Sequence, residues 1–491
     1  MIRLQNFIGG EFLAPISGDY IVSPNPTTEA PHAEIPRGGA RDVELAVAAA
    51  EKAFPAWSAR RIEERADILD RIAAGIDARR EELAKAESAD QGKTFSIAMS
   101  LDIPRAAYNF RFFAGAARHE LSVAAPMEAH TLSYVRREPI GVAGLISPWN
   151  LPLYLLTWKI APAIVYGNTC VAKPSEMTSH TAFLLCEIMR DAGLPAGVVN
   201  LVFGLGSEAG QALVEHPKVP LVSFTGGTVT GRKIAQAVAP QLKKLSLELG
   251  GKNPTIVFKD ADLKKHMKMI VRSSFLNQGE ICLCGSRLYV ERGDDPSFYN
   301  SFIEEFVRET RELIVGDPLE KNTFMGPLVS RDHRDKVASY VELARDEGMK
   351  VLCGGRAPVS QAKGFFFEPT VITAAAASSA SDRAFHDSRL QHEEVFGPVV
   401  TIAPFDSVDE VITHANSTRY GLSATVWTQS LSRAHQTAAK LHAGTVWINT
   451  WMARDLRMPF GGVKESGLGR EGQLDSLHFF TEPKTVCLRF D

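Results

Sequence analysis

From residue 139 onward the chain alternates short strands, apolar on both faces, with segments of helical spacing. Few architectures satisfy that alternation. IGVAGLI, GNTCVAK, VVNLVFG and VPLVSF are β-branched and apolar and carry no polar face. Strands of that kind belong inside a parallel sheet covered on both sides. The stretches between them, 153–166, 179–192, 207–215 and 230–239, read as the covering helices. A second alternating region runs from PTIVFKD (254–260) through SRLYVE to GTVWIN (444–449). Two α/β domains joined near Gly250–Gly251 is the simplest division.

Upstream, Val43, Ala46, Val47 and Ala50 fall at helical spacing, and Ile68, Leu69, Ile72 and Ile76 do the same within 63–86. Asp102 suits an N-cap and Pro104 a first helical turn, which sets Arg105 near a helix start. The small, polar run TAAAASSAS (373–381) reads as a flexible surface insertion. There is no internal repeat.

Composition narrows the function. Lys+Arg 54 against Asp+Glu 57 gives a net charge of −3, so no basic footprint for nucleic acid exists. The stretch 139–158 is uncharged over a membrane-spanning length. Pro139, Pro148, Pro152 and Asn150 interrupt it, however, so it reads as buried core broken by a loop, with no membrane partner. The first residues lack the apolar run of a signal peptide. Six cysteines without framework spacing then point to reduced thiols in a cytoplasmic protein.

Two of those cysteines, Cys282 and Cys284, stand one residue apart in NQGEICLCGSR. A zinc site would need more ligands, and the nearest histidine is His266, so no metal is expected there. A disulfide over that spacing would be strained. Packing is the plain reading of a free cysteine, and it is adopted for Cys170, Cys186, Cys353 and Cys487. For the pair, packing and catalysis both stand. A glycine-bounded turn opening onto a strand offers backbone N–H groups to a developing oxyanion.

Other segments add chemistry. Glu248 ends an apolar run in LSLELGGKNP, where desolvation would raise its pKa and make it a base near neutral pH; a solvated strand end is the plainer alternative. Asn150, in a Pro-bracketed loop, could donate to an oxyanion or merely hold a turn. Gly226, Gly227 and Gly231 in SFTGGTVTG sit at a strand-to-helix junction suited to a pyrophosphate. Lys173 and Glu176 in VAKPSE add groups for ribose hydroxyls.

Taken in order, SPWN, KPSE, FTGG-x4-G, ELGGKNP, NQGEIC, EEVFGP and PFGG-x3-SG-x-GREG resemble the aldehyde dehydrogenase superfamily from about residue 140 to 472. The resemblance implies a Rossmann-type NAD-binding domain (1–118 and 139–250), an α/β catalytic domain (251–448) and a β oligomerisation extension (119–138 and 473–491). It implies Cys282 as nucleophile, Glu248 as general base, and Asn150 with the Cys282 N–H as oxyanion donors. It implies cofactor contacts at Ile146, Trp149, Lys173, Glu176, Gly206, Gly226, Gly227, Glu394 and Phe396. A bare turn would also account for Gly206. Gly227 stands where the family commonly has serine, which removes one side-chain phosphate contact and leaves the backbone one. Glu176 is expected to accept ribose hydroxyls and repel an extra phosphate, favouring NAD over NADP. The implied reaction oxidises an aldehyde to a carboxylic acid through a cysteine thiohemiacetal and thioester.

SLDIPRAAYNFRFFA, GEICLCGSR and NTWMARDLRMPFGG look most like the branch of 2-aminomuconate and 2-hydroxymuconate semialdehyde dehydrogenases. There, arginines matching Arg105 and Arg454 hold the substrate's carboxylate end, and Arg457 is a third candidate. Arginine suits bidentate carboxylate recognition; the plain alternative, a surface ion pair, is adopted for Arg111 and Arg457. A broad-specificity or betaine-type enzyme shares every catalytic motif and is the alternative substrate reading. A non-catalytic structural member would normally lose Cys282 or Glu248, and an acyl-transferring enzyme would not need Glu248. The 373–391 segment is about ten residues longer than that branch's counterpart and precedes Glu394. A homodimer or homotetramer is expected through 119–138 and the C-terminal strand, where Val486, Leu488 and Phe490 alternate with Cys487 and Arg489.

Overall fold

A computed structural model describes residues 1–128, 130–374 and 379–490. Its first large sheet has five parallel strands in the spatial order Lys244–Glu248, Leu221–Thr225, Val142–Ile146, Thr169–Lys173, Val199–Leu201. Antiparallel strands Asn6–Ile8 and Glu11–Leu13 extend one edge, and Gly467–Leu468 closes the other. Alternate residues of each strand feed two cores. Ala143, Leu145, Cys170, Ala172 and Leu221 pack on one face, and Val142, Ile146, Val171, Val222 and Phe224 on the other. That two-sided burial is why these strands carry no polar face. Helices Pro152–Val165, His180–Asp191 and Thr228–Val238 cover the sheet.

Strand order reverses between Val142–Ile146 and Leu221–Thr225, so the loops leaving these two strands frame a crevice at the carboxyl edge. Those loops carry Trp149 and Asn150 on one side and Gly226 and Gly227 on the other.

The second sheet runs Lys350–Cys353, Thr370–Thr373, Val399–Phe405, Gly285–Glu291, Asn253–Val257, Ser423–Trp427, Thr445–Ile448, parallel except at its first strand. Glu248 ends one sheet and Asn253 begins the other. The glycines between them are sterically required. A Cβ on Gly250 would lie 2.1 Å from Glu394 Oε2, and one on Gly251 2.7 Å from the Cys282 carbonyl. The carboxyl edge of the first sheet thus faces the amino edge of the second, where Cys282 precedes Gly285–Glu291.

A third, antiparallel sheet pairs Thr481–Arg489 along Thr131–Pro139, with Ala124–Glu128 beyond. Cys487 is exposed on it, so the packing expected of that residue does not occur within this chain. Among the described residues no helix is long and apolar enough to cross a membrane. The 139–158 stretch is a buried strand, a loop and a buried helix.

Two local expectations change. The 63–86 helix is broken at Arg79, which leaves helical geometry between Ile62–Ala78 and Arg80–Gln91 while its guanidinium binds Glu82 and Glu187. Asp102 is not an N-cap. A π-helical turn, Ala98–Asp102, runs into the helix Ile103–Arg118, so Asp102 is itself helical and its buried carboxylate pairs with Lys93. In the 373–391 stretch, Thr373 belongs to a strand and 375–378 lie outside the described residues. Beyond them, the helix Ser379–His386 seats Phe385 in a core beneath the second sheet.

Candidate active site

The turn before Cys282 has an uncommon backbone. Asn277, Gln278 and Gly279 have φ of 53°, 59° and 70° in succession. Left-handed backbone costs a non-glycine residue about 1–2 kcal/mol, so tertiary contacts must hold it. The Asn277 amide donates to the Asn150 carbonyl at 3.1 Å, and the Gln278 amide to Pro327 at 3.1 Å. A Cβ on Gly279 would meet the Gly397 carbonyl at 2.4 Å. Asn253 Nδ2 donates to the carbonyls of Cys282 (2.6 Å) and Cys284 (2.9 Å), and the Trp451 indole donates to that of Leu283 at 3.0 Å.

Cys282 is half-buried in an apolar cluster with Tyr154, Ile281, Leu283, Trp451 and Phe460. Burial, then the nearby Glu394 and Glu248 carboxylates, push its thiol well above the ordinary range. The resting sulfur is therefore protonated. Cys284 is buried, its Sγ lies 3.9 Å from the Leu276 carbonyl, and burial pushes it up to about 12. It packs under the turn.

Asn150 is buried, and its Nδ2 donates to the Glu280 carbonyl at 2.9 Å. An amide nitrogen has two N–H groups, so one bond fixes the side chain and leaves a second donor. Its own carbonyl accepts from Lys93 Nζ at 3.0 Å. Lys93 is fully buried between Asp102, Glu87 and that carbonyl. Buried Glu248 has an oxygen, Oε1, with no hydrogen-bond partner among the described residues. Burial and then Glu471 raise its pKa well above the carboxylate range, against Lys159 and Arg454. Lys159 Nζ bonds Glu471 at 2.9 Å, and a Cβ on Gly461 would lie 2.5 Å from Glu248 Oε1.

The switch-point crevice fits a dinucleotide on four observations. Gly227 caps the helix Thr228–Val238 with open space beside it, and a Cβ on Gly206 would also meet nothing. A side chain on Gly226 would strike the Phe224 ring at 2.5 Å. Lys173 and Glu176 form a 2.8 Å pair on the crevice rim. The hydroxyls of Ser147, Thr225 and Thr228 are buried without partners among the described residues. Ile146 packs beneath, and Trp149 lies edge-on to Phe396 at 5.3 Å. Glu394 accepts from the Gly251 N–H at 2.9 Å, which sets it near the Cys282 turn.

Arg105 and Arg454 converge. The Arg105 guanidinium lies 5.1 Å from the Tyr154 ring and 5.4 Å from that of Trp158. Arg454 lies 5.6 Å from the same Trp158 ring, 3.6 Å from Phe460, and donates to Tyr154 Oη at 3.2 Å. Arg105 donates to Asn109 at 3.1 Å, but its Nη2 is buried without a partner among the described residues. Burial, with Arg454 contributing, depresses its pKa. Among the described residues no carboxylate pairs with either arginine. Arg457 does not join them, because it is exposed and folds back on Asp455 at 3.0 Å. Arg111 pairs with Asp77 at the surface.

Reading the sequence missed Asn253, Lys93, Gly461 and the Lys159–Glu471 pair. Asn253, Gly461 and Glu471 stand inside quoted motifs, where their residue types were the available signal. Lys93 had none, because its partners are set by the fold.

The chain matches the model of the aldehyde dehydrogenase family over residues 13–486. It is 51% identical over 496 residues to the 2-aminomuconic semialdehyde dehydrogenase of Mus musculus, covering 100% of this chain and 99% of the relative. It is 44% identical to the 2-hydroxymuconic semialdehyde dehydrogenase of Pseudomonas sp. (strain CF600), covering 100% of both. The NAD+ complex structure of an aldehyde dehydrogenase from Bacillus cereus superimposes with a TM-score of 0.94 at 39% identity, covering 100% of this chain and 97% of that one.

Proposed function

The chain belongs to the aldehyde dehydrogenase family and is an NAD-dependent oxidoreductase; from that premise we propose that it oxidises an anionic semialdehyde of the 2-aminomuconate or 2-hydroxymuconate kind to the corresponding acid. The observation that carries this reading is the pair of half-buried guanidiniums, Arg105 and Arg454, without a carboxylate partner among the described residues and both against the Trp158 ring. Two like charges held together in an apolar pocket oppose each other until an anion enters. The substrates named for the relatives carry a carboxylate at the end remote from the aldehyde, which matches that need.

In the proposed mechanism Cys282 Sγ attacks the aldehyde carbon once its proton has been lost. Glu248, raised by burial, is the acceptor in reach of the same pocket. The free Asn150 N–H and the Cys282 N–H receive the oxyanion. Each such donor contributes on the order of a hundredfold or more to turnover. NAD, when bound, would supply the hydride acceptor. Lys173 and Glu176 would hold its ribose, and the amino end of Thr228–Val238 would hold its phosphates. The acyl group then sits on Cys282 as a thioester. Once Glu248 has released the Cys282 proton to solvent, it takes a proton from water as the oxygen attacks the acyl carbon, and the cysteine thiolate leaves as the acid forms. Glu471 and Lys159 set the proton affinity of Glu248 from behind.

A cytoplasmic location and a homo-oligomer follow as parts of this proposal. The edge strand Thr481–Arg489 exposes Leu488, which a second copy would cover. The domain division at 250–251 is proposed on the same footing: Glu248 and Asn253 belong to different sheets. The test is a panel of aldehydes followed by NADH formation. Muconate-type semialdehydes should give the highest kcat/KM. Betaine aldehyde or simple aliphatic aldehydes outperforming them would overturn the proposal.

A further inference from the structure

We propose that His32, Asp90 and His180 bind a divalent transition-metal ion of the zinc class, at a site separate from the catalytic centre. One ligand atom from each residue lies within 4.8 Å of the others. His32 Nε2 and Asp90 Oδ1 are 3.3 Å apart. Metal–ligand bonds of ~2.0–2.2 Å at a tetrahedral angle separate neighbouring ligand atoms by about 3.3–3.6 Å, so that pair is already spaced for an ion. A small swing of the His180 ring brings the third donor in.

The polar bookkeeping supports this. Among the described residues, His32 Nε2, Asp90 Oδ1 and His180 Nδ1 are each buried without a hydrogen-bond partner. A simple His32–Asp90 ion pair would still leave His180 Nδ1 with nothing. The other carboxylate oxygen, Asp90 Oδ2, accepts the His180 backbone N–H at 2.7 Å. That bond fixes the carboxylate and aims Oδ1 at the two imidazoles, the way outer partners orient metal ligands. A cleft lined by His32, Glu82, Lys85, Ala89 and His180 opens the site to solvent, providing an entry path and a water for the fourth position.

Donor chemistry selects the ion. Calcium and magnesium take oxygen ligands, whereas two imidazoles with one carboxylate suit zinc and its first-row neighbours. Location suggests a consequence. Asp90 lies in the last turn of the helix Arg80–Gln91, and the residues after it reach the catalytic turn: Gln91 donates to Glu280 at 2.5 Å, and Lys93 to the Asn150 carbonyl. His180 opens the helix that follows Lys173 and Glu176. A bound ion would tie these two segments to the strand Pro31–Pro36, which carries His32.

The test uses the full chain, stripped by chelator, in a Cys282→Ser background that removes the reactive thiol as a competing ligand. Zn2+ is titrated by calorimetry and by thermal unfolding, and Co2+ by its visible absorption. Binding of one ion per chain is expected, with a melting temperature that climbs with free metal. His32→Ala, His180→Gln and Asp90→Asn should each weaken binding by more than the ~100-fold that loss of an outer partner alone can cost. His180→Gln keeps the backbone bond to Asp90, and circular dichroism checks that each variant is folded. Absence of binding, or Zn2+ affinity and stabilisation unchanged in both histidine variants, would overturn the proposal. Ca2+ binding as tightly as Zn2+ would also overturn it.

Discussion

Replacing Arg105 by Met separates charge recognition from packing. Methionine fills much of the same space and keeps contact with the Tyr154 and Trp158 rings, but it removes the guanidinium. A hydrogen bond to a charged group is worth about 1.5–3 kcal/mol. At about 1.4 kcal/mol per tenfold, kcat/KM for an anionic semialdehyde should fall roughly 10- to 150-fold, most of it in KM. A neutral aldehyde of similar length should change little. Stability should move the other way. Arg105 is desolvated, repelled by Arg454 and has a buried nitrogen without a partner, so the melting temperature should hold or rise. Steady-state NADH production with matched anionic and neutral aldehydes, alongside thermal unfolding, reads all three quantities. Equal losses for both substrates, or a clear fall in melting temperature, would mean that Arg105 is part of the scaffold and the anion argument is wrong.

Two further outcomes follow from the catalytic geometry. Asn150→Ala should lower kcat on the order of a hundredfold while the fold survives, because one oxyanion donor is gone; near-normal turnover would remove Asn150 from the site. Glu471→Gln bears on the proton affinity of Glu248. The negative charge of Glu471 raises the Glu248 pKa, and the base works only when deprotonated, so turnover climbs as pH rises through that pKa. Removing the charge lowers it, and the acidic limb of the kcat–pH profile should move to lower pH. A limb that stays put or moves up contradicts the coupling.

The strands and their helices were legible because they depend on local pattern, whereas for Cys282, Glu248 and Asn150 the residues alone left packing or turn-holding open and the roles proposed for them came from resemblance. Two-sided burial writes itself into a strand as an unbroken apolar run, and crevice glycines stand next to the strands they follow. What escaped depends on partners distant in the chain. Asp102 has the chemistry of a helix cap, yet a buried lysine claims it and a π turn carries the helix past it. Arg79 leaves helical geometry where its guanidinium reaches Glu187, a partner more than a hundred residues away. Cys487 looks like a core residue in an alternating strand, but that strand lies at a sheet edge and leaves it exposed. Arg105 and Arg454 were picked out by resemblance. Their convergence on Trp158 is a tertiary fact, and it also shows why Arg457, three residues past Arg454, is not their equal.

The three left-handed residues ahead of Cys282 have a consequence for biogenesis. Nothing in Asn277 or Gln278 favours that backbone locally. The clasp that enforces it comes from Asn150 in one half of the chain and Pro327 in the other. A nascent or partly unfolded chain therefore lacks the reactive arrangement, and its sulfur behaves like any ordinary thiol. The sulfur and the Asn150 amide proposed to serve it are brought together only when both halves have closed around that turn.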